Sequence, residues 1–307
     1  MKRMLLVVDS LRYIKKNCYQ SQLYETLKKN FKVKVVDAQK IERGLDIDMR
    51  KFDVRLSVLR LRSLQRMIDP LDTFFKSSEI FIYDQDPWES YMDGSPFKGT
   101  YKLITDRLNV RSFLNTSKWW SDYIRQQGHP STFVRMGMLP KLCKLGKPWE
   151  KRRIHLGFQG SLHEHRKVFF DALEAEGCEV TYLPSAPYKK FLKNLHDIRI
   201  YIHTEDAPWT VNGQTMPRNA LWIKDTEAAA RGCFSIRDHE DECHAYDTDE
   251  LQTIFTYHDV SEVPGLIRKI ENMSAEEKNQ RMAHAVETMR KRDDWMTVVN
   301  AIHEGSS

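Results

Sequence analysis

Residues 219–238 read NALWIKDTEAAARGCFSIRD, and this stretch decides how the rest of the chain is interpreted. A polar run at 224–227 precedes three consecutive alanines, and Gly232 follows them, so the pattern predicts a short helix that ends at a glycine. Residues 233–236 (CFSI) then predict a strand. A helix that begins with a polar turn at the edge of a sheet presents free N–H groups to an anion. The same pattern is also typical of an ordinary helix–strand unit without a ligand.

Strands and helices alternate on both sides of this stretch. Residues 4–9, 32–37 and 80–83 predict strands in the first half of the chain, and residues 154–159 and 199–203 predict strands in the second half. Helical segments separate them. This order is typical of parallel βαβ units and hence of a doubly wound sheet. The chain is therefore predicted to be an α/β protein with two Rossmann-like domains that face each other across a cleft.

The division between the two halves is predicted from composition. Residues 140–150 (PKLCKLGKPWE) contain two prolines and a glycine and resemble a linker. We expect one Rossmann-like domain over residues 1–145 and another over 150–290. A C-terminal helix or tail, residues 291–307, is expected to pack back on the N-terminal domain. Residues 101–105 are predicted to form a short extended segment.

Composition and charge limit the classes of function. The 307 residues are 41% apolar, enough for ordinary cores, and the net charge of +5 is not concentrated in one block. We therefore expect no nucleic-acid partner, whereas a site for a negatively charged nucleotide is compatible with the charge. The five cysteines lack CxxC spacing, which favours reduced thiols and a cytoplasmic location. No apolar run reaches the roughly 20 residues needed to span a bilayer, so at most peripheral membrane contact is expected.

Four loops that follow predicted strands are candidate sites, because ligands of open α/β sheets bind there. In residues 157–167 (GFQGSLHEHRK), Gly160 lets the backbone approach a phosphate and Arg166 is suited to pair with it, although a purely structural role is about equally compatible. The long segment 204–218 (TEDAPWTVNGQTMPR) is predicted to be a loop that contacts a sugar or nucleotide. Residues 239–244 (HEDECH) have the composition of a metal site but read better as a solvated turn.

The fourth loop begins with two carboxylates, Asp84 and Asp86, directly after a predicted strand. This spacing lets two carboxylates chelate a divalent ion that is bound to a diphosphate. The same side chains are equally suited to hold an acceptor hydroxyl or to cap a turn.

Several short motifs in a fixed order resemble the GT-B glycosyltransferases, in particular the spore-maturation-protein-like branch of the retaining family-four enzymes. Residues 224–232 (KDTEAAARG) match that branch's segment (R/K)-x-x-E-A-x-A-x-G, which precedes a strand. Residues 83–89 (YDQDPWE) resemble its D-P-W loop, and residues 115–120 (NTSKWW) resemble the start of one of its helices. Residues 136–138 (MGM) resemble the turn before its interdomain linker.

The resemblance implies a nucleotide-sugar donor, such as a UDP- or GDP-sugar, held mainly by the C-terminal domain with no obligatory metal. It implies that Glu227 binds the donor ribose, that Thr226 and neighbouring N–H groups meet the diphosphate, and that Arg166 and Lys224 neutralise it. Asn219 stands where family-four members carry an earlier glutamate that contacts the transferred sugar.

The resemblance further implies a hexosyltransferase that retains anomeric configuration and acts in glycan or glycoconjugate biosynthesis. Its acceptor would be a saccharide, a lipid-linked compound or a small molecule bound by the N-terminal domain. Asp84 or Asp86 would orient or deprotonate the attacking hydroxyl.

Three other classes of protein share some of these features. A metal-dependent GT-A glycosyltransferase would use Asp84 and Asp86 to hold manganese, but a second βαβ half does not suit it. A non-catalytic nucleotide- or sugar-binding protein is compatible with the same residues. An NAD-dependent dehydrogenase is disfavoured, because residues 10–12 (SLR) replace the G-x-G-x-x-G that should follow the first strand.

Overall fold

The computed structural model describes residues 1–15, 19–204, 209–216, 220, 223–238 and 242–305. Its strands are β1 (Arg3–Val8), β2 (Lys32–Asp37), β3 (Val54–Ser57), β4 (Ile80–Asp84), β5 (Val110–Asn115), β6 (Ser131–Phe133), β7 (Ile154–Gln159), β8 (Thr181–Leu183), β9 (Ile198–His203), β10 (Trp209–Val211), β11 (Gln214–Met216), β12 (Phe234–Asp238) and β13 (Ile254–Tyr257).

The α-helices are α1 (Leu11–Lys15), α2 (Tyr19–Asn30), α3 (Ala38–Glu42), α4 (Leu61–Arg66), α5 (Ile68–Phe75), α6 (Thr100–Arg107), α7 (Lys118–Gln126), α8 (Glu164–Ala175), α9 (Tyr188–Asn194), α10 (Ile223–Ala229), α11 (Glu242–Ala245), α12 (Val263–Glu271), α13 (Ala275–Lys291) and α14 (Met296–Gly305). Within the described ranges, no helix combines the length and the apolar character needed to cross a bilayer.

The chain forms two compact units. The first contains Met1–Arg135, Trp209–Asn219 and Asp294–Ser307, and the second contains Met136–Pro208 and Ala220–Asp293. The chain therefore leaves the second unit once, at residues 209–219, before it returns. These limits differ from the boundaries near residues 145–150 and 290 that were expected from composition.

The first unit is built on a six-stranded parallel sheet in the order β2-β1-β3-β4-β5-β6. Strand β1 lies inside it, and its residues 4–8 are fully buried. Leu6 lies opposite Val35 of β2 on one side and Leu56 of β3 on the other. A strand that is covered on both faces needs a continuous apolar run, which the sequence MLLVV supplies.

A hairpin and the last helix complete the first unit. Asn212 and Gly213 connect β10 to β11, and both have positive φ, at 52° and 76°, as a two-residue type I′ turn requires. The Asp93 backbone N–H donates to the Thr210 carbonyl at 2.8 Å, and the Gly213 N–H donates to the Asp93 carboxylate at 2.8 Å. At the other end of the chain, the His303 ring of α14 stacks on Phe31 with 5.1 Å between ring centroids.

The second unit is built on a five-stranded parallel sheet in the order β13-β12-β9-β7-β8. The three alanines at 228–230 are fully buried in its core, which explains why small residues occur there. Gly232 has φ +68°, and a Cβ on it would come within 2.7 Å of Leu145. The predicted helix, glycine and strand of residues 219–238 are therefore confirmed within the described residues.

The two sheets share one topology. In each unit the first strand lies between the second and the third, so the chain reverses its direction of winding at one point. This point lies between β1 and β3 in the first unit and between β7 and β9 in the second. The crevice at the carboxyl ends of such a strand pair is where doubly wound sheets bind ligands. The topology thus predicts one ligand-binding crevice in each unit, at the carboxyl ends of that strand pair.

Two local predictions are wrong. Residues 101–105 belong to helix α6, because Tyr101 and Ile104 are buried on one face of that helix and not on alternate faces of a strand. Residues 140–150 are not a free linker. The Lys144 and Gly146 N–H groups donate to the carbonyls of Ala230 and Arg231, at 3.0 Å and 3.1 Å, and so satisfy carbonyl groups just after α10.

Arg152 holds this packed segment in place. Its side chain is 1% exposed, and its guanidinium donates to four backbone carbonyls, those of Lys147, Leu195, Ile198 and Arg231. A Cβ on Gly146 would come within 2.7 Å of the Arg152 Nη2, so the guanidinium packs directly against this glycine.

We predict that Arg152→Met destabilises the protein by about 3 kcal/mol or more, because four backbone carbonyls lose the hydrogen bonds that this buried guanidinium donates. Equilibrium urea denaturation measures the change. Arg153→Met is the matched control, since that side chain is 77% exposed and, among the described residues, pairs only with Asp197, and it should cost less than about 1 kcal/mol. Equal effects of the two substitutions would contradict this role of Arg152.

Candidate functional site

A buried ion pair anchors the carboxyl edge of the sheet in the second unit. Asp225, in the first turn of α10, and Arg237, near the end of β12, are both fully buried, and the Arg237 Nη1 donates to the Asp225 carboxylate at 2.8 Å. Arg237 also donates to the carbonyls of Asp238 and Ala220, at 2.9 Å and 3.3 Å. The ion pair fixes the start of the helix against the strand that follows it.

A buried histidine completes this polar cluster. His203 ends β9 and is 1% exposed, with its Nδ1 4.0 Å from the Asp225 carboxylate. His203, Asp225 and Arg237 were not predicted from the sequence as site residues. Their signal was present, because a charged residue inside or directly after a short apolar strand requires a buried partner.

Glu227 lies one residue beyond the ion-paired turn and is 1% exposed. Burial raises the pKa of its carboxyl group, while the Lys224 charge and hydrogen bonds from Tyr188 and Lys224 oppose that increase. The Lys224 Nζ lies 3.5 Å from the Glu227 Oε2 and 3.7 Å from the centroid of the Phe191 ring. Apart from Lys224, Oε2 has no hydrogen-bond donor among the residues that the structure describes. This buried oxygen therefore has unused capacity to accept a hydrogen bond.

The loop after β7 contributes the other predicted residues. A Cβ on Gly160 would come within 2.9 Å of the Phe158 ring, so the close packing of this loop requires glycine. Arg166, in the first turn of α8, donates to the Ser161 carbonyl at 2.9 Å, and its guanidinium lies 5.4 Å from the Phe158 ring centroid. Arg166 thus stabilises the loop from its own helix.

Tyr201 of β9 interacts both with the end of β7 and with the charged residues of α10. Its fully buried phenol donates to the Gln159 carbonyl at 3.1 Å. Burial and the charges of Glu227 and Asp225 raise its pKa, and the charge of Arg166 opposes them. The charges of Glu227 and Arg166 therefore act on the same phenol, which lies on β9 beside β7.

Thr226 and Asn219 were also predicted to bind the nucleotide-sugar donor. The Thr226 hydroxyl is buried and donates to the Ile223 carbonyl of its own helix at 2.8 Å. Asn219 lies outside the described residues, as do residues 239–241 of the acidic HEDECH segment.

In the first unit, Asp84 is the last residue of β4 and is 4% exposed. Its carboxylate accepts hydrogen bonds from the Tyr101 hydroxyl at 2.7 Å and from the Asp86 backbone N–H at 3.0 Å. The Tyr101 hydroxyl also lies 2.9 Å from the Asn115 Oδ1. Burial, and next the charge of Asp86, raise the pKa of Asp84 to about 7. A carboxyl group with this pKa can accept a proton near neutral pH.

Asp84 and Asp86 line one cavity of about 380 Å³ at the carboxyl edge of the first unit's sheet, together with Glu89, Arg60 and Arg62. Asp86 is half-buried at the start of a 3₁₀ turn, and its side chain makes no capping hydrogen bond. Tyr101, which positions the Asp84 carboxylate, was missed because its segment was predicted to be extended. Among the described residues, no three His, Cys, Asp or Glu side chains are grouped closely enough to hold a metal ion.

Comparison with known proteins gives no family by sequence. No family model matches the chain. No curated protein matches it either.

Solved structures do match over the whole chain. An alpha-glucosyltransferase in complex with UDP has a TM-score of 0.65 at 10% identity and is covered over 100% of both chains. Anabaena HepE in complex with UDP and glucose has a TM-score of 0.62 at 12% identity, with 99% of both chains covered. A UDP-forming trehalose-phosphate synthase from Burkholderia xenovorans has a TM-score of 0.63 at 9% identity, with 100% of both chains covered.

At these identities the likeness shows the fold alone. The predicted α/β fold with two Rossmann-like domains is confirmed, whereas the GT-A alternative is wrong about the fold, because the second unit has a parallel sheet of its own. The chain has a GT-B fold.

Proposed function

We propose that the protein is a glycosyltransferase that moves a sugar from a nucleoside-diphosphate sugar to a hydroxyl group of an acceptor. The observation that carries the proposal is the buried carboxylate of Glu227, which has an oxygen available beside Lys224 in the second unit of a GT-B fold. The three solved structures named above support a UDP-type donor, since two of them are complexes with UDP and the third is of a UDP-forming enzyme.

In this proposal the donor binds to the second unit. Glu227 accepts hydrogen bonds from the ribose hydroxyls through Oε2, which has no hydrogen-bond partner among the described residues. Lys224 and Arg166 supply positive charge for the diphosphate, and the loop at Gly160 brings backbone close to it. Fixed cations stabilise the negative charge that develops on the leaving nucleoside diphosphate as the glycosidic bond breaks. A divalent metal is not required for this step, although one bound to the diphosphate would be compatible with it.

The acceptor binds to the first unit, in the cavity that Asp84 lines. With a pKa of about 7, Asp84 is suited to take the proton of the attacking hydroxyl or to orient that hydroxyl.

We further propose that the transfer retains anomeric configuration and serves glycan or glycoconjugate synthesis in the cytoplasm. The family-four resemblance of residues 224–232 supports both points. The proposed acceptor is a saccharide, a lipid-linked compound or a small molecule and not a nucleic acid, although an alpha-glucosyltransferase of the same fold was solved with DNA.

A non-catalytic nucleotide-binding protein remains the second candidate, because Glu227, Lys224 and Arg166 suit binding as well as turnover. Incubation with a panel of UDP-, GDP-, TDP- and CMP-sugars separates the two functions. Release of nucleoside diphosphate together with a glycosylated product identifies a transferase. Binding without turnover across the donor and acceptor panels identifies a binding protein.

We predict that Glu227→Gln and Arg166→Ala each weaken the binding of UDP by about 10- to 100-fold, since each removes a charge-assisted hydrogen bond to the ligand. Isothermal titration calorimetry measures the dissociation constants.

Glu174→Gln and Lys167→Ala are the matched controls, because both side chains are exposed on helix α8 and should leave UDP binding unchanged. Unchanged UDP affinity in both Glu227→Gln and Arg166→Ala would refute the assignment of the donor site.

We predict that the transfer rate depends on pH through Asp84. Because its pKa is raised to about 7, Asp84 is largely protonated below pH 7, so the rate should fall as the pH decreases through that value. Asp84→Asn should lower kcat at pH 8 by about 100-fold or more, with UDP affinity unchanged, and should abolish this part of the pH profile. Initial rates between pH 5 and 9 measure both effects.

Asp106→Asn is the control for this experiment, because Asp106 is an exposed carboxylate of the same unit that pairs with Lys102. It should keep the wild-type rate and pH profile. An Asp84→Asn enzyme with the wild-type pH profile would show that another group titrates.

A further inference from the structure

A second cavity, of about 510 Å³, adjoins the one that contains Asp84 in the first unit. It is lined by Asp9 and Ser10, which follow β1, and by residues that follow β3, among them Arg60 and Arg62. It therefore lies at the β1–β3 switch point, the position where a doubly wound sheet binds its ligand. The proposed mechanism makes no use of it.

This second cavity is strongly basic. Three arginines line it, Arg60, Arg62 and Arg66, against a single carboxylate, that of Asp9. The Asp9 Oδ2 already accepts a hydrogen bond from the Arg60 backbone N–H at 3.2 Å. Arg66 pairs with Glu42 at 2.9 Å. The balance of charge favours an anionic ligand.

Two of the three guanidinium groups have N–H donors that bind no acceptor among the described residues. Within the described part of the chain, neither the Arg60 nor the Arg62 guanidinium makes a hydrogen bond or an ion pair. The Arg60 guanidinium lies 5.7 Å from the centroid of the Tyr13 ring, and the charges of Asp9 and Asp86 act on it without a hydrogen bond. Each guanidinium presents five N–H donors in a planar fork, which matches the oxygen atoms of a phosphate group.

The same two arginines line both cavities. Arg60 and Arg62 face the basic cavity on one side and the cavity of Asp84 and Asp86 on the other. A ligand that spans the two cavities would therefore meet a cationic end and a carboxylate end. Such polarity suits a molecule with an anionic group at one end and a hydroxyl group at the other.

We propose that the acceptor is a small molecule that carries a phosphate monoester, bound by Arg60 and Arg62, with its reacting hydroxyl directed to Asp84. This inference rests on the proposed function, because it assigns the acceptor of that reaction. The size of the basic cavity suits one phosphorylated sugar. A nucleic acid would instead require a basic stripe that follows several successive phosphates, whereas these three arginines all lie within residues 60–66.

Equilibrium binding of glucose 6-phosphate, inorganic phosphate and glucose to the full chain, without donor, tests the proposal. Glucose 6-phosphate should bind at least 10-fold more tightly than glucose, and inorganic phosphate should compete with it. Arg62→Ala and Arg60→Ala should each weaken glucose 6-phosphate binding by about 10-fold, and Arg62→Lys should weaken it less. Arg50→Ala is the matched control, since Arg50 is an exposed arginine of the same unit whose one ion-pair partner in the described ranges is Asp48.

Glucose 6-phosphate that binds no more tightly than glucose, or that binds equally well to Arg62→Ala, overturns the proposal. An oligonucleotide that binds more tightly than glucose 6-phosphate through the same arginines also overturns it, in favour of a nucleic-acid acceptor. The measurement needs neither donor nor turnover, so a failure of glycosyl transfer is separate from a failure of phosphate binding.

Discussion

The buried ion pair between Asp225 and Arg237 is the interaction on which the donor side of the molecule depends. Neither side chain is exposed, and their 2.8 Å contact joins the start of α10 to the end of β12. A buried charge that loses its partner typically costs about 3–5 kcal/mol, so neither residue can be replaced alone without a large penalty. Because Glu227 lies on the same short helix, two residues after Asp225, the ion pair also determines where the Glu227 carboxylate lies.

A second network secures the other end of that helix. Backbone N–H groups of residues 144 and 146 donate to the carbonyls just after α10, and the Arg152 guanidinium donates to the Arg231 carbonyl. The seven-residue helix is thus fixed at both ends by hydrogen bonds from outside it. Short helices are marginal on their own. Tertiary contacts therefore account for its order, and they place a carboxylate and a cation at the edge of the sheet.

Much of the fold could be predicted because parallel, buried strands need continuous apolar runs, as in residues 4–8 and 80–83. The hairpin of residues 209–216 was missed although its Asn-Gly pair is a strong local signal for a type I′ turn. Other features depend on contacts distant in sequence and leave no local pattern. The hydrogen bond between Tyr101 and Asp84 and the packing of residues 144–146 beside α10 belong to this class.

The candidate site was predictable only in part. Glu227 and Lys224 are three residues apart on one helix, so their pairing follows from helical spacing. That the charges of Arg166 and Glu227 act on the same phenol follows from the strand order of the sheet, which periodicity alone does not determine. The two adjoining cavities of the first unit likewise arise from loops after three different strands.

Hydrogen–deuterium exchange with and without UDP tests the central claim, the assignment of the donor to the second unit, without any substitution. UDP should slow amide exchange in residues 157–167 and 223–232, because the bound nucleotide would cover the loop after β7 and the helix that carries Glu227. Exchange in residues 80–90 of the first unit should not change. Protection confined to the first unit, or no protection at saturating UDP, would contradict the account.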